Sequence, residues 1–143
     1  MDKKILLDIA YDTFVLTGEY LKMLSKEEWE TAGIEGWMQV ELGLALELRG
    51  IDVKIKGKQK RQCDLIIDGV GVELRAGTNA YAPHLLRALV DHPKSDLYLF
   101  LTKTNDKLMA ELRAYFDEHN LVEQHRMLNP EWMVMVIEKE SRW

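Results

Sequence analysis

A chain of 143 residues with one cysteine can form no intrachain disulfide. That residue, Cys63, stands in an apolar strand pattern and reads as a packed thiol in a reducing compartment, not as a nucleophile. No apolar run approaches the roughly 18 to 20 residues of a membrane span. The opening "MDKKILLDIAYDTF" carries acids too early for a secretory leader and lacks a cleavage pattern, so a soluble, cytoplasmic protein is expected. A phosphate-binding glycine-rich loop and a serine nucleophile elbow are both missing, which disfavours P-loop nucleotide hydrolysis and α/β-hydrolase chemistry. His84, His92, His119 and His125 show no zinc-type spacing and read as structural or solvated. Positive charge is also short overall. A net charge of −5 and a pI near 5.4 give no general attraction to nucleic acid, so any such contact needs a local basic patch or a bound metal.

What is present fits one globular domain: 47% hydrophobic and 30% charged residues, with a helical N-terminal segment over about residues 1–33 and a core over about 34–138. Ile5, Ile9, Leu16, Tyr20 and Leu24 recur at mostly helical spacing. Ser25 and Glu28 have the capping-box spacing of a short helix that Gly33 would stop. In "EGWMQVELGLALELRG", Val40, Leu44 and Leu48 repeat every four residues before Gly50. The period then falls to two in "IDVKIK", where Ile51, Val53 and Ile55 alternate with charge. Strands "QCDLII" and "VGVELRA" follow, joined by Asp68-Gly69, a pair suited to a two-residue type I′ turn. A helix in "TNAYAPHLLRALVDHP", a buried strand "SDLYLFLT" and a helix capped by Asn105 come next, the last with Leu108, Leu112, Tyr115 and Phe116 as its stripe. A loop containing Pro130 leads to a final strand, "WMVMVIE", whose Trp and Met residues read as core or as a homodimer contact. The class is α/β.

The Asp68-Gly69 turn sets a register. Ile67 faces Val70, Ile66 faces Gly71, Leu65 faces Val72, Asp64 faces Glu73, Cys63 faces Leu74 and Gln62 faces Arg75. One side of this hairpin is wholly apolar, and the other carries Asp64, Glu73 and Arg75. Carboxylates that face each other repel unless a cation, a proton or solvent intervenes. Hard oxygen ligands suit Mg2+ or Mn2+, and Gly71 leaves space beside Glu73 for a phosphate. The plainer alternative is a set of exposed strand charges neutralised by the arginine.

A helix with an acid, a three-strand meander with Asp64 on its second strand and Glu73-Leu74-Arg75 on its third, then helix and strand, resembles the PD-(D/E)xK nuclease superfamily over about Ile34 to Thr102. The resemblance implies a restriction-endonuclease-like core, a mixed sheet flanked by helices, and metal-dependent phosphodiester cleavage of DNA. Asp64 and Glu73 would hold the metal, with Glu35 or Glu41 as the helix acid. Glu35 is preferred because Gln39 lies one turn later on the same helix face. Arg75 stands where the family has lysine. Arginine stays protonated and cannot take a proton from water, although it can hold phosphate or stabilise developing charge. Three arrangements accommodate it: Arg75 acts electrostatically while the metal activates water, Lys60 or Lys58 supplies the amine, or hydrolysis is lost and binding of nucleic acid or a protein partner is kept. The run "KIKGKQKR", with Lys54, Lys56, Lys58, Lys60 and Arg61, would then contact the nucleic-acid backbone. Taken alone, it is equally a solvated edge hairpin. Arg87 is a weaker phosphate candidate. The resemblance also implies two protomers for two strands.

Overall fold

The computed structural model describes residues 1–16, 33–55 and 64–139, and the hairpin at its centre turns as its sequence dictates. Asp68 and Gly69 both have positive φ, 49° and 79°, the type I′ geometry that matches strand twist. The ladder is Ile67–Val70, Ile66–Gly71 and Leu65–Val72, as expected, but it stops there: Asp64 stands before β2 and does not pair with Glu73, and Gln62 and Cys63 lie outside the described residues.

Among the described residues run four helices and six strands: α1 (Lys3–Val15), α2 (Ile34–Leu48), β1 (Val53–Ile55), β2 (Leu65–Ile67), β3 (Val70–Gly77), α3 (Ala82–Asp91), β4 (Leu97–Lys103), α4 (Asp106–His119), β5 (Leu121–Met127) and β6 (Trp132–Lys139). The strands form one mixed sheet in the order β1-β2-β3-β4-β6-β5. Only β3 and β4 are parallel, joined through α3 as a parallel pair requires.

Helices cover both sheet faces, and the two-residue period of the strands divides the core between them. On one face Leu6, Phe14, Met38, Leu42 and Leu46 from α1 and α2 pack on Leu65, Val72, Leu74, Leu99 and Val134. On the other, Leu85, Leu108, Leu112 and Phe116 from α3 and α4 pack on Tyr98, Phe100, Met133 and Met135. Each such side chain contributes about 1.5 to 3 kcal/mol by burial. Local chemistry sets the helix ends: Asp2 accepts from the Lys4 and Ile5 N–H groups, and Asn105 accepts from Leu108 N–H at 2.8 Å.

Several expectations need correction. The stripe Val40, Leu44 and Leu48 faces outward, Leu48 being 88% exposed, while Ile34, Met38, Leu42 and Leu46 are buried. Both series repeat every four residues and lie on opposite sides of α2, so periodicity could not choose between them. In α1 the buried set is Leu6, Leu7, Ile9, Ala10 and Phe14, whereas Ile5 and Leu16 are exposed. The helix ends at Val15. Tyr20, Leu24 and the Ser25–Glu28 capping box lie outside the described residues, and Gly33 serves as the N-cap of α2 with a φ of 87°. Ile55 is exposed on a three-residue strand, and α3 begins only at Ala82. The expected loop after α4 is strand β5. Asn120, in the left-handed region at a φ of 56°, closes the helix and turns the chain directly into that strand. Trp132, Met133 and Met135 are core residues of β6, which lies between β4 and β5 and is not available as a dimer contact.

Candidate active site at the open margin of β3

β3 continues for five residues beyond Val72, its last ladder partner in β2. N–H groups two residues apart point to the same strand edge. On that edge Leu74 N–H donates to Asp64 Oδ2 at 2.8 Å, and Ala76 N–H donates to Glu35 Oε1 at 3.1 Å. Two carboxylates thus take the place of a strand, one just before β2 and the other in the first turn of α2. Gln39, one turn after Glu35, donates its side-chain N–H to the Asp64 carbonyl at 2.9 Å and fixes the residue that carries the first carboxylate. A hydrogen bond to a charged acceptor contributes about 1.5 to 3 kcal/mol net.

Glu73 points away from the Leu74 side and is only 4% exposed, so it is not a solvated strand charge. Its Oε1 lies 3.6 Å from His92 Nε2, and its Oε2 is buried with no hydrogen-bond partner. Burial, and then the charge of Asp64, push this carboxyl from an ordinary 4.5 up to about 8. Asp64 and Glu73 side by side therefore resist carrying two negative charges. Tyr98 donates its hydroxyl to the His92 carbonyl at 2.6 Å, and burial pushes its own phenol up to about 12. Arg75 lies at the same margin, with its Nε 3.9 Å from Glu35 Oε1, buried and without a hydrogen bond.

His84, in the first turn of α3, donates Nε2–H to the Ala76 carbonyl at 2.7 Å and stands 3.7 Å from Glu35 Oε1, a charge contact longer than a hydrogen bond. Burial works to raise the Glu35 carboxyl, but His84, the Ala76 N–H and Arg75 together outweigh it and hold it below its usual value. The reciprocal contact with Glu35 raises the His84 imidazole against the effect of burial. A cavity of about 910 Å3 opens beside them, lined by Glu35, Gly77, Asn79, Tyr81, His84 and Arg87. Gly77 is required at its wall, because a Cβ there would meet Thr102 Oγ1 at 2.8 Å.

Asp64, Glu73, Arg75 and Glu35 therefore come together. Glu41, farther along α2, makes no hydrogen bond or ion pair with them among the described residues. Lys54 is exposed on β1 opposite Ile66, whereas Lys56, Lys58, Lys60 and Arg61 lie outside the described residues, as do Gln62 and Cys63. Arg87 is exposed, pairs with Asp91 at 3.4 Å and reaches the cavity wall. Gly71 has both backbone groups bound by Asp96: its N–H donates to Oδ2 at 2.8 Å, and its carbonyl accepts from Asp96 N–H at 2.9 Å. His84 stands beside Glu35 and His92 beside Glu73. For His84 the signal lies in topology, because the crossover helix after β3 must begin at the carboxyl end of that strand; His92 is the C-cap at the far end of the same helix.

Among the described residues no three His, Cys, Asp or Glu side chains form a ready-made metal cage. The donors present are hard oxygens, and the unpartnered Glu73 Oε2 beside Asp64 fits an ion that needs one or two carboxylates and completes its shell with water and phosphate. No family model matches the chain, and no curated protein or solved structure is significantly similar to it.

Proposed function

We propose that this protein is a metal-dependent nuclease of the PD-(D/E)xK type that cleaves phosphodiester bonds of DNA. The observation that carries this is Glu73, a carboxyl buried beside Asp64 with one oxygen unpartnered and its pKa raised by that surrounding. Such a group is costly to bury, and a divalent cation would satisfy both carboxylates. Asp64 and Glu73 would hold Mg2+ or Mn2+. The chemistry that ion supplies is the lowering of a water's pKa toward neutrality.

The chain's own residues do the rest. Glu35 caps Ala76 and holds Arg75 by charge, so that the guanidinium faces the margin where a phosphate would sit. Permanently charged, Arg75 neutralises a phosphate and stabilises charge developing on it, but takes no proton. Lys54 and the basic run after it carry salt-sensitive backbone contacts. The order α2-β1-β2-β3-α3-β4, an antiparallel meander followed by a parallel crossover, supports a restriction-endonuclease-like core.

Asp64→Asn is the decisive substitution, because asparagine keeps an acceptor for the Leu74 N–H while removing the charge. The expected result is loss of Mg2+-dependent nicking of supercoiled plasmid, together with loss of Mn2+ binding by calorimetry, at a nearly unchanged melting temperature. Nicking that survives both the substitution and EDTA overturns the proposal. Arg75 in the lysine position favours a second reading, binding without cleavage. That reading requires DNA affinity that persists in EDTA, with no nicking even at high enzyme concentration.

A further inference from the structure

We infer that the outer edge of β5 is a self-association surface, on which a second copy of this chain pairs antiparallel about a two-fold axis through Gln124. β5 is the last strand of the sheet order, and among the described residues no strand lies on its outer side. Its seven residues, Leu121 to Met127, contain no proline or lysine, the usual devices that close an edge to further pairing.

The side-chain order is self-complementary. A two-fold axis perpendicular to the sheet pairs residues whose numbers sum to an even constant, so that each face continues into the same face of the partner copy. With the axis at Gln124, Glu123 of each copy faces His125 of the other, and Leu121 faces Met127, which is 44% exposed on the free chain. Val122 faces Arg126, whose guanidinium is already neutralised by Asp8 and lies 5.5 Å over the Tyr11 ring, so it brings no free charge to the axis. Moving the axis one residue in either direction sets Glu123 against itself or His125 against itself. Two carboxylates directly opposite repel, whereas Glu123 opposite His125 sets an acceptor against a ring nitrogen, and this selects the Gln124 register. Within each copy His125 Nδ1 already lies 2.9 Å from Glu123 Oε2, so pairing closes a ring of four side chains. The surface is independent of the chemistry at Asp64 and Glu73, three strands away in the sheet.

The test is sedimentation equilibrium of the full chain and its variants, with circular dichroism as the check on folding. The wild type is expected to be a dimer. His125→Glu, which faces two acids against each other, should raise the dimer dissociation constant about tenfold or more. The double variant Glu123→His/His125→Glu restores the opposition with its sense reversed and should recover the dimer. Gln124→Lys changes an exposed side chain, leaves the fold intact and sets two cations on the axis, so it should also dissociate the dimer. A monomeric wild type, a dimer indifferent to His125→Glu and Gln124→Lys, or a folded double variant that stays monomeric each overturns the inference.

Discussion

The margin of β3 beyond Val72 and the outer margin of β5 both present backbone without a neighbouring strand among the described residues, yet the chain treats them in opposite ways. At β3 the N–H groups of Leu74 and Ala76, which have no ladder partner, are met by Asp64 and Glu35, carboxylates brought in from outside the strand. Along β5 no such caps are present among the described residues, and the side chains alternate in a self-complementary order. A margin capped by anions cannot accept another strand, but it concentrates negative charge and gathers Arg75 and His84 around it. An uncapped margin stays free for pairing. The same backbone need is thus met by chemistry in one place and left to a partner in the other.

The comparison breaks most sharply at Glu35. Glu35→Ala leaves the Ala76 N–H without its acceptor and the Arg75 guanidinium without its neighbouring charge, and should cost about 1 to 3 kcal/mol in urea denaturation. Glu35→Gln keeps an acceptor and should recover much of that loss. If both variants are as stable as the wild type, the capped margin is not a structural device.

Glu73→Gln should have an effect of the opposite sign. A carboxyl whose folded pKa of about 8 exceeds its unfolded value near 4.5 retains a proton that the unfolded chain releases, so stability falls as pH rises between those values. Glutamine removes the titration. The variant should equal the wild type below pH 4.5 and exceed it by a growing margin as pH rises toward 8. Denaturation curves across that range check it, and a gain confined to acid pH would contradict the assignment. In the wild type, Mg2+ should flatten the same fall.

The smallest effect belongs to His84→Gln. Because the folded imidazole pKa is raised, its stabilisation is complete below the unfolded value of about 6.5 and disappears as pH rises through the folded one. At a half-exposed pair this amounts to a few tenths of a kcal/mol. NMR titration of His84 should show its pKa fall in Glu35→Gln.

Much of this margin can be read from local pattern. A type I′ turn needs two residues tolerant of positive φ, and Asp68-Gly69 therefore fixes the register as far as Leu65–Val72; the next expected step, Asp64 against Glu73, lies beyond the ladder, where Asp64 instead accepts from the Leu74 N–H. Gln39, one turn from Glu35, marks the helix face that meets the hairpin. The phase of α2 is not legible, since its two apolar series are equivalent until a sheet is laid against one of them. β5 is also hidden. Its mixed charges suit an edge strand as well as a loop, and only Asn120 at the end of α4 and the ladder with β6 distinguish them.

Local chemistry alone settles the helix caps at Asp2 and Asn105, the hairpin register and the identity of the apolar hairpin face, because each depends on residues within a few positions of one another. The burial of Glu73, the capping of Ala76 by Glu35 across 41 residues and the approach of His84 and His92 belong to the tertiary structure. Period-two alternation assigns Glu73 to the polar side of a hairpin. That side becomes an interior only when the β3-α3-β4 crossover lays a helix over it, and the same crossover turns a row of strand charges into a candidate site.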